Sequence, residues 1–238
     1  MIEQLLTDYG LVFRIGGEIA YTAKGKQLKS EVEETVHKHL NAVEAEEVEL
    51  PTLVDYSQLK LERRISLGRH FSCFRTSARD KKEHLLARTA EELAADYFSQ
   101  NQEEGIIYQI GTKFRDEDAE ELDFLKRREF TMLDAYSFDD DLVNSQRRYQ
   151  NMKKCFADIL DELEISHSTK PAGDVCSNVQ SDEFICELEG MEGVELGHIY
   201  QLGNLYTRPY DLENVMMGSY GLGIDRIFAA VAISRGAK

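Results

Sequence analysis

IYQIGTKFRDEDAEELDFLKRREFTMLDAYSFD, residues Ile107 to Asp139, holds two extended runs around a strongly acidic middle. Ile107 to Glu117 and Lys126 to Phe138 read as the two arms of a hairpin, with Asp118, Glu120, Glu121 and Asp123 crowded at its tip. Side chains alternate faces along a strand, so Arg115 and Glu117 fall on one surface, a cation and an anion side by side. Arg128, Phe130 and Met132 of the second arm lie beside them.

Beyond this hairpin, Tyr149, Met152, Phe156, Ile159, Leu160 and Leu163 recur at helical spacing, bounded by Asp139 to Asp141 before and Ser166 to Gly173 after. Two strands follow, a short one from Glu183 to Leu188 and one from Glu195 to Leu202. In the second, alternation puts Leu196, His198, Tyr200 and Leu202 on one face and Glu195, Gly197, Ile199 and Gln201 on the other. The last unit, Met216 to Arg226, is a glycine-rich strand entering a helix whose apolar face is Ile224, Ile227, Phe228 and Val231. Its glycines allow close approach of a ligand, and Arg226 in the first helical turn sits where a cation and free amides together suit a polyphosphate.

Upstream of the hairpin, Gly10 to Ala20 is glycine-bearing and Tyr21 to Gly25 leads as a loop into a helix. Leu28, Val32, Val36, Leu40 and Val43 mark one stripe of that helix, with Glu31, Glu33, Glu34 and Lys38 mostly outside it. Glu46 to Val54 reads as a strand with Pro51 near its end. Leu61 to Phe74, with Arg63, Arg64 and Arg69 among apolar residues, fits a passage from helix to strand without a fixed assignment. Thr89 and Glu92 have the spacing of a capping box, and Glu91 lies in the first turn, where the helix dipole favours an anion. Helices set against a largely antiparallel sheet make the fold class α+β.

With 238 residues, 42% hydrophobic and 30% charged, the chain is long enough for a sizeable core and too apolar for disorder. A formal charge of -16 opposes nonspecific binding to a phosphate backbone. Cys73, Cys155, Cys176 and Cys186 form no CxxC pair, and Met1 to Asp8 carries acidic residues where a signal peptide needs basic ones, so reduced thiols in the cytoplasm are expected. No apolar run nears the roughly 20 residues of a membrane span. His37 and His39, two apart on a helix, diverge and cannot share a metal.

Five separated pieces, in order, resemble the catalytic core of class II aminoacyl-tRNA synthetases, most closely the bacterial type of prolyl-tRNA synthetase, over most of the chain. Leu50 and Pro51 are similar to the end of the first motif, and Thr89, Ala90 and Glu91 to the Thr-x-Glu amino-acid loop. Tyr108 to Glu117 with Arg128 to Phe138 resembles the second motif, Val194 to Gly203 the segment before the third, and Met217 to Arg226 the third itself. The resemblance implies one catalytic domain over residues 1–238, without an anticodon-binding or editing domain, and a homodimer built on the first motif. It implies activation of an amino acid, proline favoured, to its adenylate with ATP and Mg2+, then transfer to tRNA. Two anions must be brought together in that step, so catalysis rests on positioning and charge neutralisation.

In that carry-over Arg115 bridges the α-phosphate and the substrate carboxylate, Glu117 takes the adenine amino group, Phe130 stacks on adenine, and Arg226 holds the γ-phosphate. Gly221 and Gly223 complete the ATP site, and Arg115 and Arg226 are the catalytic residues. Thr89, Glu91, Ser219 and His198 line the amino-acid pocket together with Arg115. Glu195 is assigned to ATP and Mg2+, although strict alternation sets it on the face opposite His198, so both roles hold only if a bulge rotates one of them. Three places depart from the family. The tip is acidic where basic residues usually meet tRNA, Arg88 precedes Thr89 where proline is usual, and the glycine pair expected near Cys176 and Ser177 is missing. Two alternatives therefore stand beside tRNA charging: an adenylate-forming enzyme with another acceptor, and a noncatalytic dimeric regulator.

Overall fold

The computed structural model describes residues 1–59, 73–172 and 180–236. A short helix, α1 (Ile2–Asp8), leads into a hairpin of β1 (Val12–Ile15) and β2 (Glu18–Tyr21) that turns at Gly16 and Gly17, both at positive φ. Thr22 then caps α2 (Ala23–Ala42), its hydroxyl accepting from Gly25 N at 3.0 Å. Gly25 lies so close under the β1 approach that a Cβ there would come within 2.0 Å of Leu11 O. The stripe read from the sequence is the buried one: Val32, Val36 and Leu40 are fully covered, with Leu28 and Val43 packed at the margin.

The single strand expected over Glu46 to Val54 is instead two pieces. Only β3 (Glu46–Glu47) pairs, in parallel, with β7 (Gly105–Phe114). Val48 N still reaches Tyr108 O at 2.8 Å, but Leu50 N turns to the Gln109 side chain, and Pro51 has no amide to continue the ladder. The chain then changes sheets: β4 (Leu53–Asp55), β5 (Arg75–Ser77) and β6 (Glu83–Leu86) form a small antiparallel sheet in the order β4-β6-β5. Of the passage from Leu61 to Phe74, the part holding Arg63, Arg64 and Arg69 lies outside the described residues, as do Cys176 and Ser177.

After α3 (Glu91–Asn101) comes β7, then β8 (Glu129–Asp139) and α4 (Leu142–Glu162), which Asp141 caps through Asn144 N at 2.7 Å. β9 (His167–Pro171), β10 (Gln180–Leu188), β11 (Met191–Gly203) and β12 (Met216–Gly223) follow, and β12 runs directly into α5 (Ile224–Ser234). The main sheet has the order β3-β7-β8-β12-β11-β10-β9 and is antiparallel throughout except for β3 beside β7. It is the α+β arrangement that the pattern implied. Among the described residues no helix is long and apolar enough to cross a membrane.

Two cores lie on opposite faces of this sheet. The larger packs α1, α2, α4 and α5 through Leu6, Val36, Phe156, Ile159 and Phe228 against Leu133, Ile199 and Leu222. The smaller holds α3 through Ala94, Ala95 and Phe98 against Tyr136, Phe138, Leu202 and Met217, and Phe98 stacks on Phe138 with ring centroids 4.3 Å apart. Beyond the edge of the smaller core, the same sheet face carries the polar site.

Candidate active site

The floor of the site is built by register. β8 lies between β7 and β12, with Lys113 opposite Phe130, Gly221 opposite Asp134 and Ser219 opposite Tyr136. β11 adds His198 opposite Gly221 and Tyr200 opposite Ser219. Alternation therefore sends Lys113, Phe130, Met132, Asp134, Tyr136, Ser219, Gly221 and His198 to one face. A Cβ on Gly221 would meet Met132 Cε at 3.0 Å, a tight contact with the flexible end of that side chain, and the backbone around it lies no nearer than 3.8 Å.

β7 ends at Phe114, so the strand geometry expected for Arg115 and Glu117 does not carry both. Arg115 N still bonds Arg128 O at 2.9 Å, which holds Arg115 in line with the strand, its guanidinium 4.9 Å over the Phe130 ring and Nη2 3.7 Å from Met132 Sδ. Glu117 lies past the strand in a tight turn, its amide bonded to Arg115 O, and its carboxylate pairs with Lys126 at 3.3 Å. Burial lowers the Arg115 pKa, and the charges of Arg88 and Arg226 lower it further against Asp134 and Glu117. A guanidinium keeps its proton regardless, so this crowding amounts to a positive potential awaiting an anion.

Beneath Arg115, Lys113 and Asp134 form a buried ion pair at 2.6 Å. Burial raises the Asp134 carboxyl despite the Lys113 charge. Sequence reading assigned this pair no role; its signal was a lysine and an aspartate on the interior face of two strands, where charge is rare without a partner.

The capping box expected at Thr89 and Glu92 does not form. Ala90 occupies the cap position of α3 without a side-chain bond, and the Thr89 hydroxyl donates instead to Glu91. Tyr136 fixes this bend, its hydroxyl accepting from Ala90 N at 3.1 Å, and Ser219 Oγ donates to Glu91 Oε1 at 3.1 Å. Thr89, Glu91 and Ser219 thus meet around one carboxylate, which sits at a helix N-terminus.

Strict alternation in β11 is also overturned. Phe184 pairs with Gly197 but Ile185 pairs with Glu195, so Leu196 is an extra residue in a β-bulge. Leu196 turns into the larger core with Ile199, and Glu195 comes round to the face of His198, 3.4 Å from its Nδ1. The two expected roles are compatible after all. His198 stacks on Tyr200 at 3.9 Å, and Nδ1 meets the Tyr200 hydroxyl at 2.9 Å. Burial pushes the Glu195 carboxyl up, but the His198 hydrogen bond and the Arg226 and Arg115 charges outweigh it and hold the carboxyl below its usual value.

Arg226, in the first turn of α5 after Gly223, donates Nε to Leu125 O at 2.9 Å and Nη1 to Glu195 O at 2.8 Å. Arg115 Nε and His198 Nε2 are buried without a hydrogen-bond partner in the protein. Among the described residues no three His, Cys, Asp or Glu side chains cluster as a metal cage. Glu195 beside two arginines suits instead a magnesium ion that arrives on phosphates, since that ion needs only one or two protein carboxylates.

At the tip, Asp116, Asp118, Glu120 and Asp123 are exposed. The basic residues of the return leg turn inward: Lys126 to Glu117, Arg127 to Asp225, and Arg128 Nε to Glu117 O at 3.1 Å.

No model of a known protein family matches the chain. It is 26% identical over 293 residues to the probable mitochondrial proline–tRNA ligase of Schizosaccharomyces pombe, across 99% of the chain and 68% of that relative. It is 32% identical over 198 residues to the proline–tRNA ligase of Rhodococcus opacus, across 79% of the chain but 33% of the relative. Among solved structures, Giardia lamblia prolyl-tRNA synthetase in complex with prolyl-adenylate superposes with a TM-score of 0.84 at 16% identity, across 97% of the chain and 51% of that structure. The Cryptosporidium parvum prolyl-tRNA synthetase complexed with L-proline and AMP gives 0.82 at 12% identity. At such identities the structures speak for the fold, and the chain spans about half of their length.

Proposed function

The chain has the catalytic-core fold of the class II aminoacyl-tRNA synthetases and is related in sequence to the proline–tRNA ligases, and from that premise we propose that it activates proline with ATP and transfers it to tRNA. The observation that carries this reading is the place of Arg115, over Phe130 and Met132 and within electrostatic reach of Arg226 and Glu195, on the sheet face that also carries Ser219 and the Thr89 and Glu91 cluster. A carboxylate substrate and a triphosphate are both anions, and a half-buried guanidinium whose Nε has no partner in the protein lowers the repulsion of bringing them together.

In this reading Glu91 takes the α-amine with Thr89 and Ser219, His198 lines the side-chain pocket, and Arg115 holds the substrate carboxylate against the α-phosphate. A carboxylate oxygen attacks the α-phosphorus, the bond to the β-phosphate oxygen breaks, and pyrophosphate leaves with the electron pair. No protein group need carry a proton. Phe130 offers its ring to adenine, Glu117 accepts from the adenine amino group, Gly221 and Gly223 keep the strand low under the nucleotide, and Arg226 takes the γ-phosphate. Mg2+ bound to the phosphates, with Glu195 as its protein ligand, would supply further charge neutralisation. ATP–pyrophosphate exchange across the amino acids tests the proposal: exchange with proline is expected, and no exchange with any amino acid would sink it.

The exposed acidic tip and inward-turned basic leg favour a second reading at the transfer step, an acceptor other than tRNA. Proline-dependent exchange without any charging of tRNA would decide for it. We further propose a cytoplasmic homodimer through the α2 and β3 edge. The thiols of Cys73, Cys155 and Cys186 are free, as reducing conditions keep them, and light scattering at micromolar concentration should read twice the chain mass.

A further inference from the structure

A buried ionic knot lies beside the site and takes no part in the roles given above. Asp225, the second residue of α5, is only 4% exposed. Its carboxylate accepts from Lys29 Nζ of α2 at 2.8 Å, from the Tyr21 hydroxyl at 2.7 Å, from the Thr131 amide of β8 at 2.8 Å and from Arg127 of the hairpin connection. Lys29 also donates to the Thr131 hydroxyl at 2.6 Å, and Arg127 lies 4.9 Å over the Phe124 ring. Two cations are held against one carboxylate in a place with little water, so the geometry of the group is tightly set.

The next residue is Arg226, whose Nε donates to Leu125 O at 2.9 Å. Two successive residues of α5 thus grip two positions of the connection, Leu125 and Arg127. Between these lies Lys126, which pairs with Glu117 at 3.3 Å. Thr131, whose amide Asp225 holds, stands between Phe130 and Met132, the residues that flank Arg115. A shift of Arg127 off Asp225 would therefore reach Arg226, Glu117 and Phe130 together, and these face the proposed nucleotide. It would leave Thr89, Glu91 and Ser219 alone, because their bonds run through Tyr136 and α3.

We propose that Arg127 and Asp225 form a clasp that positions the nucleotide half of the site, setting Arg226 and the connection for ATP without touching ATP. Arg127 and Asp225 are positioning residues here. The inference rests on the nucleotide assignment made above, and it predicts a split between the two substrates that loss of fold would not produce.

The test is Arg127→Met, which removes the one cation of the connection that pairs with Asp225 while Lys29 and Asp225 remain paired. Binding of a nonhydrolysable ATP analogue and of proline is measured by calorimetry, and amide hydrogen exchange is followed along the whole chain. Nucleotide affinity should fall about tenfold, the scale of one displaced charge-assisted hydrogen bond, while proline affinity, which Arg115 shares with Thr89, Glu91 and Ser219, should fall no more than about twofold. Exchange should quicken in 115–131 and in the first turn of α5 but not in α3, and Arg127→Lys should restore most of the nucleotide affinity. Nucleotide affinity within twofold of the wild type would overturn the clasp, as would equal weakening of both ligands. A wild type that binds nucleotide but shows no proline-dependent pyrophosphate exchange would defeat the activation reading instead, leaving the clasp to be judged on binding and exchange.

Discussion

Arg115 is half-buried among other cations, with Nε unpartnered, and that arrangement is unfavourable until an anion arrives. Its planar fork is what a carboxylate and a phosphate would share, so charge alone is not enough. Arg115→Lys should fold normally but slow proline-dependent pyrophosphate exchange by about 10²–10³, the usual effect of removing one preorganised donor. Asp225 makes a different prediction. Burial by itself would raise its carboxyl, but Arg127 and Lys29 hold it below the usual value. Its folded state binds fewer protons than its unfolded state. The stability it supplies is therefore full above about pH 4 and lost as pH falls through the folded value. In urea at pH 7, Asp225→Asn should lose about 3–5 kcal/mol, because two cations are left facing no charge. The gap to the wild type should narrow below about pH 4, and a gap independent of pH would contradict the assignment. At this scale Arg115 and Glu91 could be singled out from their motifs. The knot could not, since Lys29 and Asp225 lie 196 residues apart and no local pattern joins them.

Among elements, α2, α4 and the paired arms β7 and β8 were legible because their apolar residues keep a regular period that burial then uses. Three elements were misread for a common reason, a long-range contact that outbid local pattern. The strand after α2 is cut short because Leu50 N turns to the Gln109 side chain and the chain then changes sheets. The capping box fails because Glu91, drawn to Thr89 and Ser219, takes the bond. β11 breaks alternation because Leu196 has a core to fill beneath the sheet. The bulge depends on Gly197: a Cβ there would lie 2.4 Å from Leu222 Cδ2 and 2.7 Å from Gly221 O. Gly197→Ala should cost about 1–3 kcal/mol in chemical denaturation, as overpacking does, and should shift Glu195 away from His198. Unchanged stability would show that the bulge has more room than its contacts indicate.

For the whole molecule, the sheet separates a large core from a small one that seats α3 and, with it, the amino-acid end of the proposed site. Phe156 belongs to the first and Phe98 to the second. Truncating either to alanine should cost about 3–5 kcal/mol. Only Phe98→Ala should also raise KM for proline in pyrophosphate exchange, because Phe98 seats α3, whose first residue is Glu91, on Phe138. Equal effects of the two variants on KM would mean that α3 does not set the pocket.

The sequence by itself determined the α+β class, the acidic hairpin and the buried stripes. Those properties follow from periodicity and residue type, which are local. Tertiary structure decided where the charges meet: Glu195 turned to His198 by a bulge, Glu117 carried past its strand and paired with Lys126, and Asp225 tied to Arg127 and Lys29. Coulomb attraction and desolvation act through space, and only the folded chain brings such distant groups into range.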